Sequence, residues 1–262
     1  MEADGHKRMF TVCACEFLGT ALFIFGILQT NLPLSIPFSL LASVVIWGDI
    51  TGGHFNPAVT LGVFVTLGDY GKNFAFMIMI MIAQIAGGFL AIGMNWIGAY
   101  GKADSTVAIL APVDPKTGAP ENPANDHDYN MEMNVAINEV FCTFIFISVI
   151  LMVKGKHTAG DRVGVGAAMA VVVTLLCVIS GTNKFGACFN PAVGIALPAN
   201  SVLWLGKSPY LYHYVYIYTL GPALGGLLAG FFHLLHAPAH EPVQRYPAGF
   251  DGEHHEGLVN QK

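Results

Sequence analysis

The chain has 262 residues, of which 54% are hydrophobic and only 11% are charged, and its mean hydropathy is +0.56. Soluble domains carry about a quarter charged residues, so a water-soluble fold of this size could not hide so much apolar surface. The net charge of −5, with no basic run, excludes nucleic acid as an expected partner and leaves the lipid bilayer as the predicted one.

Five long stretches hold only two acidic or basic residues between them, Glu16 and Glu139. These stretches are residues 12–48, 74–101, 135–153, 163–181 and 210–235. About 20 apolar residues span the hydrocarbon core as a helix, and the first stretch is roughly twice that length. Pro33 and Pro37 predict a tight reversal in its middle. The pattern therefore predicts an all-α membrane protein with six transmembrane helices.

An even number of spans places both termini on one side of the membrane. Lysine and arginine are more frequent in the segments on that side than in the opposite ones, which predicts cytoplasmic termini. The predicted organisation is a cytoplasmic N-terminus (1–11), a first half (12–100), an outside loop rich in acids and prolines (101–134), a second half (135–236) and a cytoplasmic tail (237–262).

The two halves repeat one another. Residues 52–59 (GGHFNPAV) return as 186–193 (GACFNPAV), 16–20 return as 139–143, and 83–87 return as 221–225. Because each half has three spans, the second half must insert upside down relative to the first. Inverted repeats with sites near the bilayer midplane are an architecture of membrane transport proteins.

Each Asn-Pro-Ala triplet follows a span and opens an apolar stretch too short to cross the bilayer. The triplets are Asn56-Pro57-Ala58 and Asn190-Pro191-Ala192, and the stretches are 56–67 and 190–198. Asn is a good helix N-cap, and Pro is favoured at the first helical position. We therefore expect two re-entrant half-helices that meet at the midplane, where irregular backbone survives only if it is buried or lines a wet cavity.

This arrangement predicts a chemistry for the meeting point. Each asparagine oxygen caps its own half-helix, so its NH2 group is left to point into the channel. The positive ends of the two helix dipoles face the same point. A water molecule therefore meets hydrogen-bond donors there, whereas a cation or proton meets an electrostatic barrier. Gly52, Gly53 and Gly186 permit an unwound backbone that offers carbonyl oxygens as acceptors.

The segment from His54 to Gly62 resembles the signature of the major intrinsic protein family, the aquaporins and glycerol facilitators. The resemblance covers roughly residues 15–230, and it implies a passive channel for water or small uncharged solutes and a homotetramer with one pore per subunit. It also implies that Glu16 and Glu139 bond the backbone of the pore loops and that His54 lines the inner vestibule. No cofactor and no metal site is predicted.

The outer constriction departs from the family pattern. Val193 stands where the family usually has arginine, and ungapped carry-over gives Ile36, Val178 and Ala187 as the other constriction positions. All four are apolar, and Gly194 replaces the aspartate of glycerol facilitators. Two outcomes are open for this constriction, which we call the neck. A wider neck would pass glycerol, urea, ammonia or hydrogen peroxide, whereas an apolar neck that excludes water would pass little.

The first half is also shorter than the second. Asn56 follows Glu16 by 40 positions, whereas Asn190 follows Glu139 by 51. We therefore expect almost no loop between the first two spans, with Ile36 near the outer end of the second.

The sequence leaves two interpretations open for several residues. His54 lines the pore or packs in a loop, and Cys188 lines the pore or is buried. His233, His236 and His240 share one helix face, which suits metal binding or pH gating, but a solvated tail is the favoured interpretation. The tyrosines at 210–218 indicate an interfacial aromatic belt, or else a docking surface.

Two other functions remain open beside a channel. A non-conducting structural or accessory subunit of a membrane assembly would fit the apolar neck and the shortened first half. A secondary transporter would need coupling carboxylates at the midplane, where Glu16 and Glu139 are the candidates. The sequence contains no pairing of nucleophile and base and no phosphate-binding loop, so no enzyme is predicted.

Overall fold

The computed structural model describes residues 2–29, 34–67, 69–98, 110–113, 120, 129–154, 165–181, 186, 188–203 and 212–240. Within these ranges the chain forms the helices α1 (Glu2–Leu28), α2 (Ser35–Thr51), α3 (Pro57–Leu67), α4 (Tyr70–Gly98), α5 (Tyr129–Lys154), α6 (Val165–Gly181), α7 (Pro191–Leu203) and α8 (Val215–His240). The described part has no strand beyond an isolated bridge between Val113 and Pro120. The predicted all-α fold is confirmed.

Helix length separates the spans from the half-helices. α1, α4, α5 and α8 each contain an apolar segment long enough to cross a membrane by length and composition. α2 and α6 have 17 residues each, or about 25 Å at the usual helical rise, which nearly crosses the core. α3 and α7 have 11 and 13 residues and reach only about 16 to 20 Å. Six spanning helices and two half-helices are the architecture that the sequence predicts.

The helix bounds differ from the predicted segments at several places. α5 begins at Tyr129, inside the predicted outside loop, and α8 continues to His240, beyond the predicted end of the second half at 236. α1 begins at Glu2, so most of the predicted N-terminal segment is helical. α7 continues to Leu203 instead of ending near residue 198, and Pro198 lies inside it. A proline inside a helix costs about 3 kcal/mol. The burial of every α7 residue but one from Pro191 to Ser201 offsets that cost.

The two halves interlock through their half-helices. Within each half, the first helix packs on the last, α1 on α4 and α5 on α8. Across the halves, α3 packs on α8 and α7 packs on α4, while α2 packs on α6. Each half-helix also packs on the final helix of its own half, so it is held between α4 and α8.

Glycines at repeat-related positions permit this packing. A Cβ on Gly87 of α4 would lie 2.3 Å from the Phe17 carbonyl oxygen, and one on Gly225 of α8 would lie 2.6 Å from that of Val140. Gly226 lets α8 approach α3 so closely that a Cβ there would lie 2.2 Å from the Ala58 oxygen. These contacts explain why the third repeated segment, 83–87 with 221–225, is rich in small residues.

Candidate functional site at the paired Asn-Pro-Ala turns

Two buried carboxylates hold the backbone that precedes each turn. Glu16 of α1 accepts hydrogen bonds from the His54 and Phe55 N–H groups at 3.0 and 2.7 Å. Glu139 of α5 accepts the same pair from Cys188 and Phe189 at 3.0 and 2.9 Å. The two carboxylates therefore brace the two turns in the same way. Both glutamates are fully buried, and their carboxylates satisfy N–H groups that no helix ladder uses.

Several residues in the segment before each asparagine have a left-handed backbone. Gly52, Gly53 and Gly186 have φ of 87°, 63° and 69°, which glycine adopts without cost. Phe55 and Phe189 also have positive φ, 46° and 52°, which is rare for a bulky residue and costs about 1 to 3 kcal/mol. Sequence reasoning did not predict a positive φ at these two phenylalanines. The signal that could have found them is that phenylalanine stands at the equivalent position in both copies of the repeat, 55 and 189.

Both asparagines cap their half-helices. The Asn56 Oδ1 accepts from the Ala58 N–H at 2.8 Å, and the Asn190 Oδ1 accepts from the Ala192 N–H at 2.9 Å. The helices α3 and α7 begin at the prolines that follow, Pro57 and Pro191. This local geometry is the one expected of an Asn-Pro start, with the asparagine at the cap and proline at the first helical position.

The two turns bond directly to one another. The Asn56 Nδ2 donates to the Phe189 carbonyl at 2.8 Å, and the Asn190 Nδ2 donates to the Phe55 carbonyl at 2.9 Å. The sequence predicted that each whole NH2 group points into the channel. Instead, one N–H of each amide ties the two turns together, because left-handed Phe55 and Phe189 aim their carbonyls at the opposite asparagine.

A network of polar side chains supports the first turn. The Gln84 Nε2 lies 2.8 Å from Glu16 Oε2 and 2.9 Å from Thr60 Oγ1, and the Thr60 hydroxyl donates to the Asn56 carbonyl at 3.1 Å. The His54 Nδ1 lies 3.2 Å from Thr60 Oγ1, with its ring half-buried. At the repeat-equivalent positions the second half has Pro222, Gly194 and Cys188 in place of Gln84, Thr60 and His54.

Cys188 is part of the second turn. Its side chain is buried, and its Sγ lies 2.9 Å from the Asn190 carbonyl. The thiol therefore donates a hydrogen bond to a backbone carbonyl oxygen of the turn. Between the two interpretations that the sequence left open for Cys188, the geometry places the thiol against backbone.

Three of the four predicted constriction positions lie in or against the hydrophobic core. Val193 is in the first turn of α7 and is 3% exposed, while Val178 of α6 and Ile36 of α2 are half-buried and pack against the same core cluster. Ala187 lies outside the described residues. Ile36 is the second residue of α2, close to the start of that helix.

Tyr218 explains why Gly194 carries no side chain. A Cβ on Gly194 would lie 2.4 Å from the Tyr218 carbonyl oxygen, so aspartate has no room there. A Cβ on Gly186 would lie 2.6 Å from the Tyr218 hydroxyl, so this tyrosine packs against both ends of the second turn. The predicted interfacial belt is therefore wrong for Tyr214 and Tyr218, which are buried. Tyr212 and Tyr216 are exposed, as helical periodicity requires of alternate members of the row.

The described side chains include no group of three or more His, Cys, Asp or Glu placed to hold a metal ion. The polar atoms at the meeting point of the half-helices are the asparagine amides and the backbone carbonyls of Phe55 and Phe189. Such a set can exchange hydrogen bonds with a small neutral molecule.

Comparisons with known proteins agree with this geometry. A model of the family described as Major intrinsic protein matches residues 5–233. The glycerol uptake facilitator protein-like 6 of Lactiplantibacillus plantarum is 30% identical over 233 residues, which cover 82% of this chain and 93% of that protein. Aquaporin-8 of Mus musculus is 28% identical over 241 residues, covering 86% and 81%.

A solved structure shows the same fold. The X-ray structure of the aquaglyceroporin from Plasmodium falciparum superposes with a TM-score of 0.64 at 17% identity, covering 86% of this chain and 95% of that one. Together with the family match over nearly the whole sequence, this places the chain in the major intrinsic protein family.

Proposed function

We propose that the protein is a passive membrane channel for water and small uncharged solutes, with its selective point at the Asn56–Asn190 pair. The observation that carries this proposal is the reciprocal bonding of the two turns, which brings two half-helix N-termini face to face. Family membership and the names of the relatives support conduction, and none of them favours the non-conducting alternative.

Hydrogen bonding at this point suits a neutral molecule in transit. Each asparagine amide has two N–H groups, and one remains after the bond across the turns. The carbonyls of the left-handed segments at Gly52, Gly53 and Gly186 supply acceptors next to these donors. A water or hydroxyl can therefore exchange one set of hydrogen bonds for the next without a large desolvation cost.

Cations and protons are excluded by the same geometry. The N-termini of α3 and α7 carry partial positive charge, and both face the meeting point. A cation would lose its hydration shell there and meet the asparagine N–H donors and two positive dipole ends. Glu16 and Glu139 do not offset this barrier, because each accepts two backbone hydrogen bonds away from the asparagine amides. The same engagement argues against a secondary transporter, which would need free coupling carboxylates.

The outer constriction sets the solute range. We assign it to Ile36, Val178, Ala187 and Val193, with His54 lining the inner approach. With no guanidinium at 193, the neck lacks a fixed positive charge and its fork of donors. We expect neutral solutes such as glycerol, urea, ammonia and hydrogen peroxide to permeate beside water. Loss of water from the apolar neck would reduce the flow of all of them.

The assembly and orientation follow from the family and the charge pattern. We assign a homotetramer with one pore in each subunit from membership of the major intrinsic protein family. Both termini are assigned to the cytoplasm from the lysine and arginine distribution.

Reconstitution into liposomes tests the proposal. Stopped-flow light scattering would follow volume changes under gradients of water, glycerol, urea and ammonia, with protein-free liposomes as the reference. The channel predicts that at least one gradient dissipates several-fold faster than in the reference. If every gradient relaxes at the reference rate, the structural-subunit function takes its place.

A further inference from the structure

Part of the loop between α4 and α5 is buried. Leu110 and Ala111 are 3% and 4% exposed, and Pro112 is buried as well. Val113 forms an isolated antiparallel bridge with Pro120, so the chain reverses its direction just after the buried segment. Loops normally run over the surface of a protein, because buried backbone has to find hydrogen-bond partners. The burial of this segment therefore indicates a role beyond the connection of α4 to α5.

The buried loop segment meets the second turn at Gly186. A Cβ on Gly186 would lie 3.1 Å from the Ala111 carbonyl oxygen and 2.6 Å from the Tyr218 hydroxyl. The loop and Tyr218 therefore close on the same side of this glycine. Leu110 and Tyr218 also belong to one buried hydrophobic cluster, which includes Val193 at the start of α7. The loop segment and α8 together enclose the outer end of the second turn.

The second turn needs such support more than the first turn does. Four residues, 52–55, join α2 to the asparagine of the first turn, whereas eight residues, 182–189, join α6 to the asparagine of the second. The first approach also starts on a helix cap, since the Gly52 N–H bonds to the Gly48 carbonyl at 2.8 Å. A longer connection has more conformational entropy to lose, so contacts from other parts of the chain have to hold it.

Tyr218 connects this support to the neck. Each glycine that packs on Tyr218 is next to a neck position in the sequence, because Gly186 precedes Ala187 and Gly194 follows Val193. The Tyr218 hydroxyl lies against Gly186, and its backbone carbonyl lies against Gly194. The position of this one residue therefore affects both neck positions that the second half contributes.

We propose that Leu110, Ala111 and Tyr218 are positioning residues that hold the outer end of the second turn and so set the width of the neck. We call these three residues the outer clamp. This role rests on the proposed channel function and names residues that fix its solute range. All three are buried, so they act through the backbone of the turn and not by contact with the solute. A looser clamp should admit larger solutes, since the selectivity of such a pore depends on its diameter.

Tyr218→Phe tests the clamp, and Tyr214→Phe is its matched control. Both tyrosines are buried, both changes remove only a hydroxyl, and Tyr214 lies four residues earlier in the chain. Stopped-flow light scattering from liposomes gives the permeability of each variant to water and to glycerol. We expect the glycerol-to-water ratio of Tyr218→Phe to rise about twofold or more, because the change opens space beside Gly186. Tyr214→Phe should keep the wild-type ratio.

Leu110→Ala tests the loop side of the clamp, with Leu151→Ala as its control. Leu151 is buried to a similar degree in the same hydrophobic cluster, but it lies near the C-terminal end of α5. Both changes leave a cavity and should lower the unfolding temperature. Only Leu110→Ala should also raise the glycerol-to-water ratio, which separates a positioning role from a general loss of stability.

Hydrogen exchange gives a readout that does not depend on conduction. In the full-length protein in detergent, the Cys188 and Phe189 amides should exchange faster in Tyr218→Phe and Leu110→Ala than in the two controls. The clamp is overturned if exchange is equal in each variant and its control, or if variants that conduct all keep the wild-type solute ratio. A wild-type protein no more permeable than protein-free liposomes would overturn the channel function instead, and faster exchange would still support the clamp.

Discussion

Asn56 and Asn190 are linked by a reciprocal pair of hydrogen bonds, in which each amide donates to the carbonyl of the phenylalanine that precedes the other. Each amide oxygen at the same time caps its own half-helix. One residue type therefore starts each helix and joins it to its inverted counterpart. Because each asparagine both caps its own helix and bonds to the opposite turn, the site that we propose to select solutes lies where the two halves meet.

Replacing Asn190 by alanine removes a cap and a bond across the turns. The cap contributes about 0.5 to 2 kcal/mol and the hydrogen bond about 1 kcal/mol, so we expect a loss of about 1.5 to 3 kcal/mol of stability. Thermal unfolding in detergent measures it. Asn200→Ala is the matched control on the same helix, because the buried amide of Asn200 has no hydrogen-bond partner in the described part of the chain. The prediction fails if the two variants unfold at the same temperature.

Replacing either bracing glutamate by glutamine tests the buried carboxylates. A glutamine oxygen can still accept, but its NH2 group faces an N–H that the carboxylate had satisfied. Each unpaired buried donor costs about 1 to 3 kcal/mol. Glu16 also accepts from Gln84, whereas Glu139 has no such partner among the described residues, so Glu16→Gln should destabilise more than Glu139→Gln.

The unfolding temperatures of the two glutamine variants check this order. A Glu16→Gln protein as stable as Glu139→Gln would show that Gln84 adds nothing to the first turn.

Gly226→Ala should push α8 away from α3. Its Cβ would lie 2.2 Å from the Ala58 carbonyl oxygen, and no flexible side chain is there to give way. Overpacking of this kind typically costs about 1 to 3 kcal/mol. Gly93→Ala on α4 is the control, since nothing lies within 4 Å of the added carbon, and it should raise stability by up to about 1 kcal/mol. Equal effects of the two changes in thermal unfolding would contradict the close approach.

Val193→Arg tests the outer constriction. An arginine there adds a positive charge and fills the neck, so glycerol and urea should slow by a larger factor than water. Val193→Leu separates bulk from charge, because it enlarges the side chain without adding donors. Light scattering from liposomes that contain each variant gives the solute ranking. An unchanged ranking in the arginine variant would remove Val193 from the constriction.

The sequence predicted the architecture because its signals are local. Apolar length marks the spans, and Asn-Pro marks the start of a half-helix in each copy of the repeat. The bond from Asn56 to Phe189 joins residues that are 133 positions apart, and it depends on the left-handed backbone of the phenylalanines. No local propensity indicates a positive φ at phenylalanine. Tyr218 was misassigned for a similar reason, since its burial depends on packing against the second turn.

Local sequence signals set the starts of the half-helices, whereas tertiary contacts set the end of α7. Pro57 and Pro191 start α3 and α7, as helix-capping rules predict. Pro198 does not end α7, because contacts of the whole helix outweigh the preference of one residue. Sequence rules therefore gave the start of each half-helix and missed one end.

Simultaneous measurement of solute and proton flux in one liposome preparation tests the central claim most directly. Light scattering reports water and glycerol movement, and a trapped pH-sensitive dye reports protons under a pH gradient. Two facing helix ends predict that water or a neutral solute crosses several-fold faster than in protein-free liposomes, while the pH gradient decays at the protein-free rate. Protons that cross together with the solute, or a solute flux no faster than through lipid alone, would contradict it.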